Sequence, residues 1–174
     1  MRGAFYTTES TNFMEKIKLY LDTNMLIDLF INQAKTHKSG LAFEEPSKFK
    51  FMVENLEKFQ FITSFLTKAE IMREMTAGHN MDPGKINELW SDLMGTLQAD
   101  FVDRFEFGPE IIDVVAQVKM KLRTMFNYEH LFIAMARHAY IVSGDKPFLE
   151  KVRQTKLYDK VLTYIELRKL ASSL

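Results

Sequence analysis

Four acidic residues of this chain fall where carboxylates can act together: Asp22, Glu70, Glu129 and Asp145. Asp22 directly follows the stretch KLYL, and Asp145 follows YIVS after one glycine. Glu70 comes shortly after FQFIT, and Glu129 opens the apolar stretch that precedes YIVS. Acids gathered at one place repel one another unless a cation or a proton compensates. Hard divalent cations accept oxygen ligands, and such an ion activates water and offsets charge growing on a phosphate. The chain has no cysteine, and its four histidines (His37, His79, His130 and His138) show no ligand spacing. The expected ion is therefore Mg²⁺ or Mn²⁺ held by oxygen, in preference to zinc held by sulfur and nitrogen.

Each acid also has a plainer reading. Asp22 is placed to cap a helix starting near Met25, and Thr23 and Asn24 are cap-forming residues too. Glu70 has Arg73 and Glu74 at helical spacing, as a solvated helix residue would. Glu129 suits the positive end of a helix dipole. Asp145 suits a turn after Gly144. Asp28, six positions after Asp22, is turned away from the start of the same helix.

The elements that must carry these residues alternate. Residues 16–21 (KIKLYL), 59–63 (FQFIT), 101–107 (FVDRFEF) and 140–143 (YIVS) read as strands, with a fifth over 160–164. Helical spacing covers 25–33, 47–58, 67–75, 85–97, 110–125, 128–138 and 147–155. Residues 35–46, with Gly40 and Pro46, and 78–84 (GHNMDPG) read as loop and turn. The C-terminal end reads as a helix or a frayed tail. Residues 1–15 are polar and irregular, which predicts a flexible N-terminal tail before one domain over 16–174. Strands alternating with helices predict an α/β fold, a three-layer sandwich around a mainly parallel central sheet. In such a sheet ligands sit beyond the carboxyl ends of the strands, where three of the four acids fall.

Composition bounds the rest. Hydrophobic residues make up 47% of the 174, with fifteen Phe and eleven Met, which suits a folded domain with a dense core. No apolar run is long enough to span a bilayer, and no secretory-type leader pattern is present. With no cysteine, these features fit a cytoplasmic protein. The formal net charge is zero, so charge neither argues for nor excludes a nucleic-acid partner. Lys119, Lys121 and Arg123 alternate on one predicted helix and Arg137 lies on the next, a set that could contact RNA phosphates and that also reads as a solvated face.

Several stretches together resemble one family. LYLDTNMLIDLF resembles the opening motif of PIN-domain nucleases, a strand ending in Asp-Thr-Asn or Asp-Thr-Ser. ITSFLTKAEIMREM resembles the second motif, which maps its acid to Glu70. YEHLFIAMARHAYIVSGDKPF resembles the third and fourth, an acid opening an Ala-rich helix and then a strand ending in Thr/Ser-x-Asp. Order and spacing match from residue 18 to residue 148, and all the motifs in order are more specific than any one alone. The family usually has Asp at the third position. Here Glu129 and His130 are the candidates, and the offsets to Ala134 and Ala136 favour Glu129.

The resemblance implies a metal-dependent endoribonuclease using Asp22, Glu70, Glu129 and Asp145 as metal ligands and catalytic residues. It makes Asn24 the partner that orients Asp22, and Ser143 the partner of the carboxylates or of a water. It also implies an RNA substrate. Small members of the family are often the toxin of a VapBC-type toxin–antitoxin pair, so an antitoxin protein and a homodimer are expected by the same resemblance. The alternative is an inactive PIN-like module that binds RNA or protein. A phosphatase of the haloacid-dehalogenase type would need Asp-x-Asp after the first strand, and Asn24 stands at the second Asp.

Overall fold

The computed structural model describes residues 15–39, 42–104 and 125–174. In chain order these form β1 (Ile17–Leu21), α1 (Thr23–Ser39), α2 (Ser47–Glu54), β2 (Phe59–Ser64), α3 (Phe65–His79), α4 (Pro83–Leu97), β3 (Asp100–Val102), α5 (Met125–Ala136), β4 (Tyr140–Val142), α6 (Lys146–Thr155), β5 (Val161–Leu162) and α7 (Tyr164–Ser173). The expected helix over 110–125 lies outside the described residues apart from its last position, and the tail over 1–15 apart from Glu15.

The five strands make one sheet in the order β3-β2-β1-β4-β5, and every pairing is parallel. The chain builds outward from β1 through β2 to β3, then returns to the other side of β1 with β4. The order thus reverses between β1 and β4, which is where open parallel sheets form a crevice at their carboxyl edge. Register pairs Leu21 with Val142, so Asp22 and Ser143 leave the sheet side by side.

Helices cover both faces, giving the three-layer α/β sandwich. Alternation along β1 decides which side chain meets which layer. Leu19 and Leu21 join Phe30, Phe59, Phe61, Ile71 and Trp90 in a core beneath α1, α3 and α4. Tyr20 points the other way, into a core with Leu131 and Ile133 of α5 and with Phe148 and Leu149 of α6. All three of these β1 residues are fully buried. The Tyr158 hydroxyl fastens the second layer, donating to the carbonyls of Ala139 at 2.6 Å and Ala134 at 3.2 Å.

Several boundaries differ from the sequence reading. Helix α1 runs on to Ser39 where a loop was expected, because Ala34 still buries against the core and no breaker occurs before Gly40. Helix α3 takes in Gly78 and ends only when Asn80 turns left-handed (φ 52°). The next helix begins at Pro83, with Asp82 accepting from the Lys85 N–H. Helix α2 stops at Glu54, and Asn55 accepts from the N–H groups of Lys58 and Phe59 to turn the chain into β2. Strand β3 is only Asp100–Val102 and β5 only Val161–Leu162. The C-terminal end is a helix, started by a reciprocal cap between Thr163 and Glu166. No described helix is long and apolar enough to cross a membrane.

Candidate metal centre

Asp22 is the first residue beyond β1, and its carboxylate is held from three sides. Oδ1 accepts from the Thr23 N–H at 2.6 Å, and Oδ2 accepts from Asn24 Nδ2 at 2.7 Å and from the Ser143 hydroxyl at 2.5 Å. The capping bond to Met25 N–H comes instead from the Asp22 backbone carbonyl, at 2.9 Å. The side chain thus converges with Ser143, the residue just past β4, and helix capping alone does not account for its position.

Ser143 has all its hydrogen-bonding capacity used. Its hydroxyl donates to Asp22 and accepts from Asn24 Nδ2 at 3.1 Å and from the Asp145 N–H at 3.0 Å. Asn24 completes the clamp by accepting from the Gly144 N–H through Oδ1. Asn24 and Ser143 therefore both touch the carboxylate they were expected to orient.

Glu70 arrives from the second turn of α3. Its Oε2 accepts a hydrogen bond from the Thr23 hydroxyl and lies 3.2 Å from His130 Nε2. His130 projects from α5 with 2% of its surface exposed, and the same nitrogen lies 3.7 Å from Asp22 Oδ1. Donor atoms of Asp22, Glu70 and His130 all fall within 4.8 Å of one another. Burial by itself would lower the His130 pKa. The hydrogen bond to Glu70 and the charges of Asp22, Glu70 and Glu129 outweigh it and hold the imidazole above its ordinary value. Burial would raise Glu70, but the contacts with His130 and Thr23 prevail and hold it below the usual carboxylate range.

Behind the imidazole, His130 Nδ1 is 2.7 Å from the Tyr20 hydroxyl, which is 2.7 Å from the Ser64 hydroxyl. Tyr20 and Ser64 are fully buried. Burial also pushes the Tyr20 pKa well above its ordinary value, so the group stays a neutral phenol.

The other expected site residues are placed differently. Glu129 precedes His130 on α5, is partly exposed, and stands outside the three-residue group while its charge still reaches His130. Asp145 is linked to Asp22 through Ser143, and its Oδ1 caps α6 by accepting from the Phe148 N–H at 3.1 Å. Arg137 is exposed just past the end of α5, about 10 Å along the helix from His130 and near where β4 begins. That is the amino edge of the sheet, away from the carboxylates. Lys119, Lys121 and Arg123 lie outside the described residues. Asp28 is on the surface, paired with Lys48 at 2.7 Å.

Sequence reasoning left three participants without a role: Tyr20, Thr23 as a Glu70 partner, and Ser64. The signal for Tyr20 was its place two residues before Asp22, on the same side of an alternating strand.

The donor set fits a divalent cation: two carboxylates and one imidazole offer oxygen and nitrogen atoms within 4.8 Å of one another.

No protein-family model and no curated protein matches the sequence. In overall chain course the protein is similar to a PilT N-terminus domain protein from the hyperthermophilic archaeon Sulfolobus solfataricus P2. The two are 11% identical, the match covers 89% of this chain and 93% of that one, and the TM-score is 0.49.

Proposed function

We propose that this chain is a divalent-metal-dependent endoribonuclease of the PIN type, hydrolysing phosphodiester bonds of RNA. The observation that carries the reading is the meeting of Asp22 and Glu70 at the carboxyl edge, beside the place where strand order reverses. Asp22 and Glu70 would hold Mg²⁺ or Mn²⁺. When bound, such an ion would lower the pKa of water so that hydroxide is available to attack phosphorus, and would offset the charge on the leaving oxygen. The chain's own part is positioning. Thr23, Asn24 and Ser143 fix both carboxylates before any ligand arrives, so little ordering remains to be done on binding. Asp145 and Glu129 add negative charge at the margin of the same site. No side chain need act as a nucleophile.

By the motif resemblance we extend this to a cytoplasmic toxin ribonuclease, a homodimer restrained by a small antitoxin protein. The test of the central claim is cleavage of a single-stranded RNA by metal-stripped protein. EDTA should abolish cleavage, and Mn²⁺ or Mg²⁺ should restore it. Full activity in EDTA would rule the mechanism out.

One observation favours a second reading, an inactive PIN-like module that binds RNA or protein. His130 Nε2 lies 3.2 Å from Glu70 Oε2 and 3.7 Å from Asp22 Oδ1, so a protonated imidazole can itself offset their charge. A folded protein that binds RNA but cuts none with any divalent ion would establish it.

A further inference from the structure

Deepening the metal-centre reading, on which this inference rests, we propose that the ion site is completed by the imidazole of His130, held in place by Tyr20 and Ser64, and that this nitrogen makes the centre select Mn²⁺ over Mg²⁺.

The geometry begins with the two ring nitrogens. Nε2 faces Glu70 Oε2 at 3.2 Å and Asp22 Oδ1 at 3.7 Å. Nδ1 faces the Tyr20 hydroxyl at 2.7 Å. A ligand nitrogen must present a lone pair, so an ion at Nε2 requires the ring proton to sit on Nδ1. The structure provides for that proton. Nδ1–H then donates to Tyr20 Oη, whose own proton passes to Ser64 Oγ at 2.7 Å. All three groups are buried, so water cannot easily replace either bond. Metal-bound histidines commonly donate their second N–H to a fixed acceptor, which sets tautomer and ring orientation. Tyr20 is a positioning residue in this sense: it touches the imidazole and not the ion.

The local sequence explains why these partners meet. β1 alternates Leu19, Tyr20 and Leu21, and only Tyr20 points into the layer that contains α5. Ser64 ends the neighbouring β2, and His130 sits on the first turns of α5. Glu129, one position earlier, is turned about 100° around that helix and remains partly exposed.

Ion preference follows from the donor set. Mg²⁺ favours oxygen ligands and gives up its waters reluctantly. Imidazole suits transition ions better, and among the two ions expected here Mn²⁺ accepts nitrogen more readily. Two carboxylates with one imidazole therefore shift the site away from Mg²⁺.

The experiment is Mn²⁺ binding to the full, metal-stripped chain, followed by electron paramagnetic resonance with Mg²⁺ as competitor. Pulsed spectra on bound Mn²⁺ read nitrogen coupling directly. Wild type should show that coupling and should bind Mn²⁺ at least ~10-fold more tightly than Mg²⁺. His130→Asp should lose the coupling and narrow the preference. Tyr20→Phe, which keeps the ring and removes the hydroxyl, should weaken Mn²⁺ binding by roughly 10-fold with a smaller change for Mg²⁺. Bound Mn²⁺ without nitrogen coupling in wild type would overturn this inference and leave the metal-centre reading standing. Binding of neither ion would overturn both. If His130→Asp does not fold, the wild-type coupling and the Tyr20→Phe affinities still decide.

Discussion

Asn24 and Gly144 approach so closely that a methyl group on the glycine would lie 2.9 Å from Asn24 Oδ1 and 3.2 Å from its Cγ. The Asn24 carboxamide cannot yield freely, because it also grips Asp22 and Ser143. Gly144→Ala should therefore displace the clamp while leaving the core intact. We expect a thermal midpoint close to wild type and a loss of Mn²⁺ affinity of roughly 10-fold, as for other groups that orient a metal ligand. Calorimetric titration measures the second quantity, and unchanged affinity would show that Asn24 does not position Asp22.

Asp22→Asn separates ligation from folding. Asparagine keeps the size and leaves the backbone carbonyl that bonds the Met25 N–H untouched, so stability should fall by only about 1 kcal/mol. Cleavage should drop by orders of magnitude and Mn²⁺ binding should weaken. A melt and a nuclease assay on one preparation test both halves, and a variant that melts and cuts like wild type removes Asp22 from the centre.

Glu70 and Glu129 can be ranked against each other. Glu70→Gln removes a carboxylate that faces both Thr23 and His130, and Mn²⁺ binding should collapse. Glu129→Gln should change it by no more than about threefold, the scale of a remote charge screened by solvent. Equal losses in the two variants would make Glu129 a ligand.

Acid should loosen the C-terminal helix first through Glu166. Burial would raise its pKa, but the Thr163 backbone N–H, the Arg153 guanidinium and the Thr163 hydroxyl prevail and hold it below 4.5. A depressed carboxylate contributes stability that is present above its unfolded value and is lost as pH falls through its folded value. Wild type should lose thermal stability below about pH 5 more steeply than Glu166→Gln, and parallel curves would contradict this.

Much of the architecture was legible because alternation and helical spacing are local signals. The α/β class, the mainly parallel sheet and the placing of Asp22 at a strand end all followed from short windows. The motif resemblance singled out Glu70, which the structure brings together with Asp22 and His130. What could not be read was the far partner of each group. Thr23 looked like a cap because its hydroxyl's acceptor, Glu70, is 47 positions away. Tyr20 was assigned no role because its partner, His130, is 110 positions away. The choice between Glu129 and His130 turned on the rotation of α5 against the sheet, which no single-sequence pattern reports. Helix ends moved where tertiary burial, as at Ala34, extended what local punctuation would have stopped.

The Ser143–Asp22 bond spans 121 positions, so this centre is among the last things the chain can complete. At ~5–20 residues per second, Asp22 leaves the site of synthesis on the order of ten seconds before Ser143 does. Until then β1 lacks its β4 neighbour and has one open edge, a state that invites pairing with other strands. A product cut short between α3 and β4 carries Asp22 and Glu70 but neither Ser143 nor the strand that brings it to them. In such fragments the Asp22 carboxylate loses the Ser143 hydroxyl that grips it.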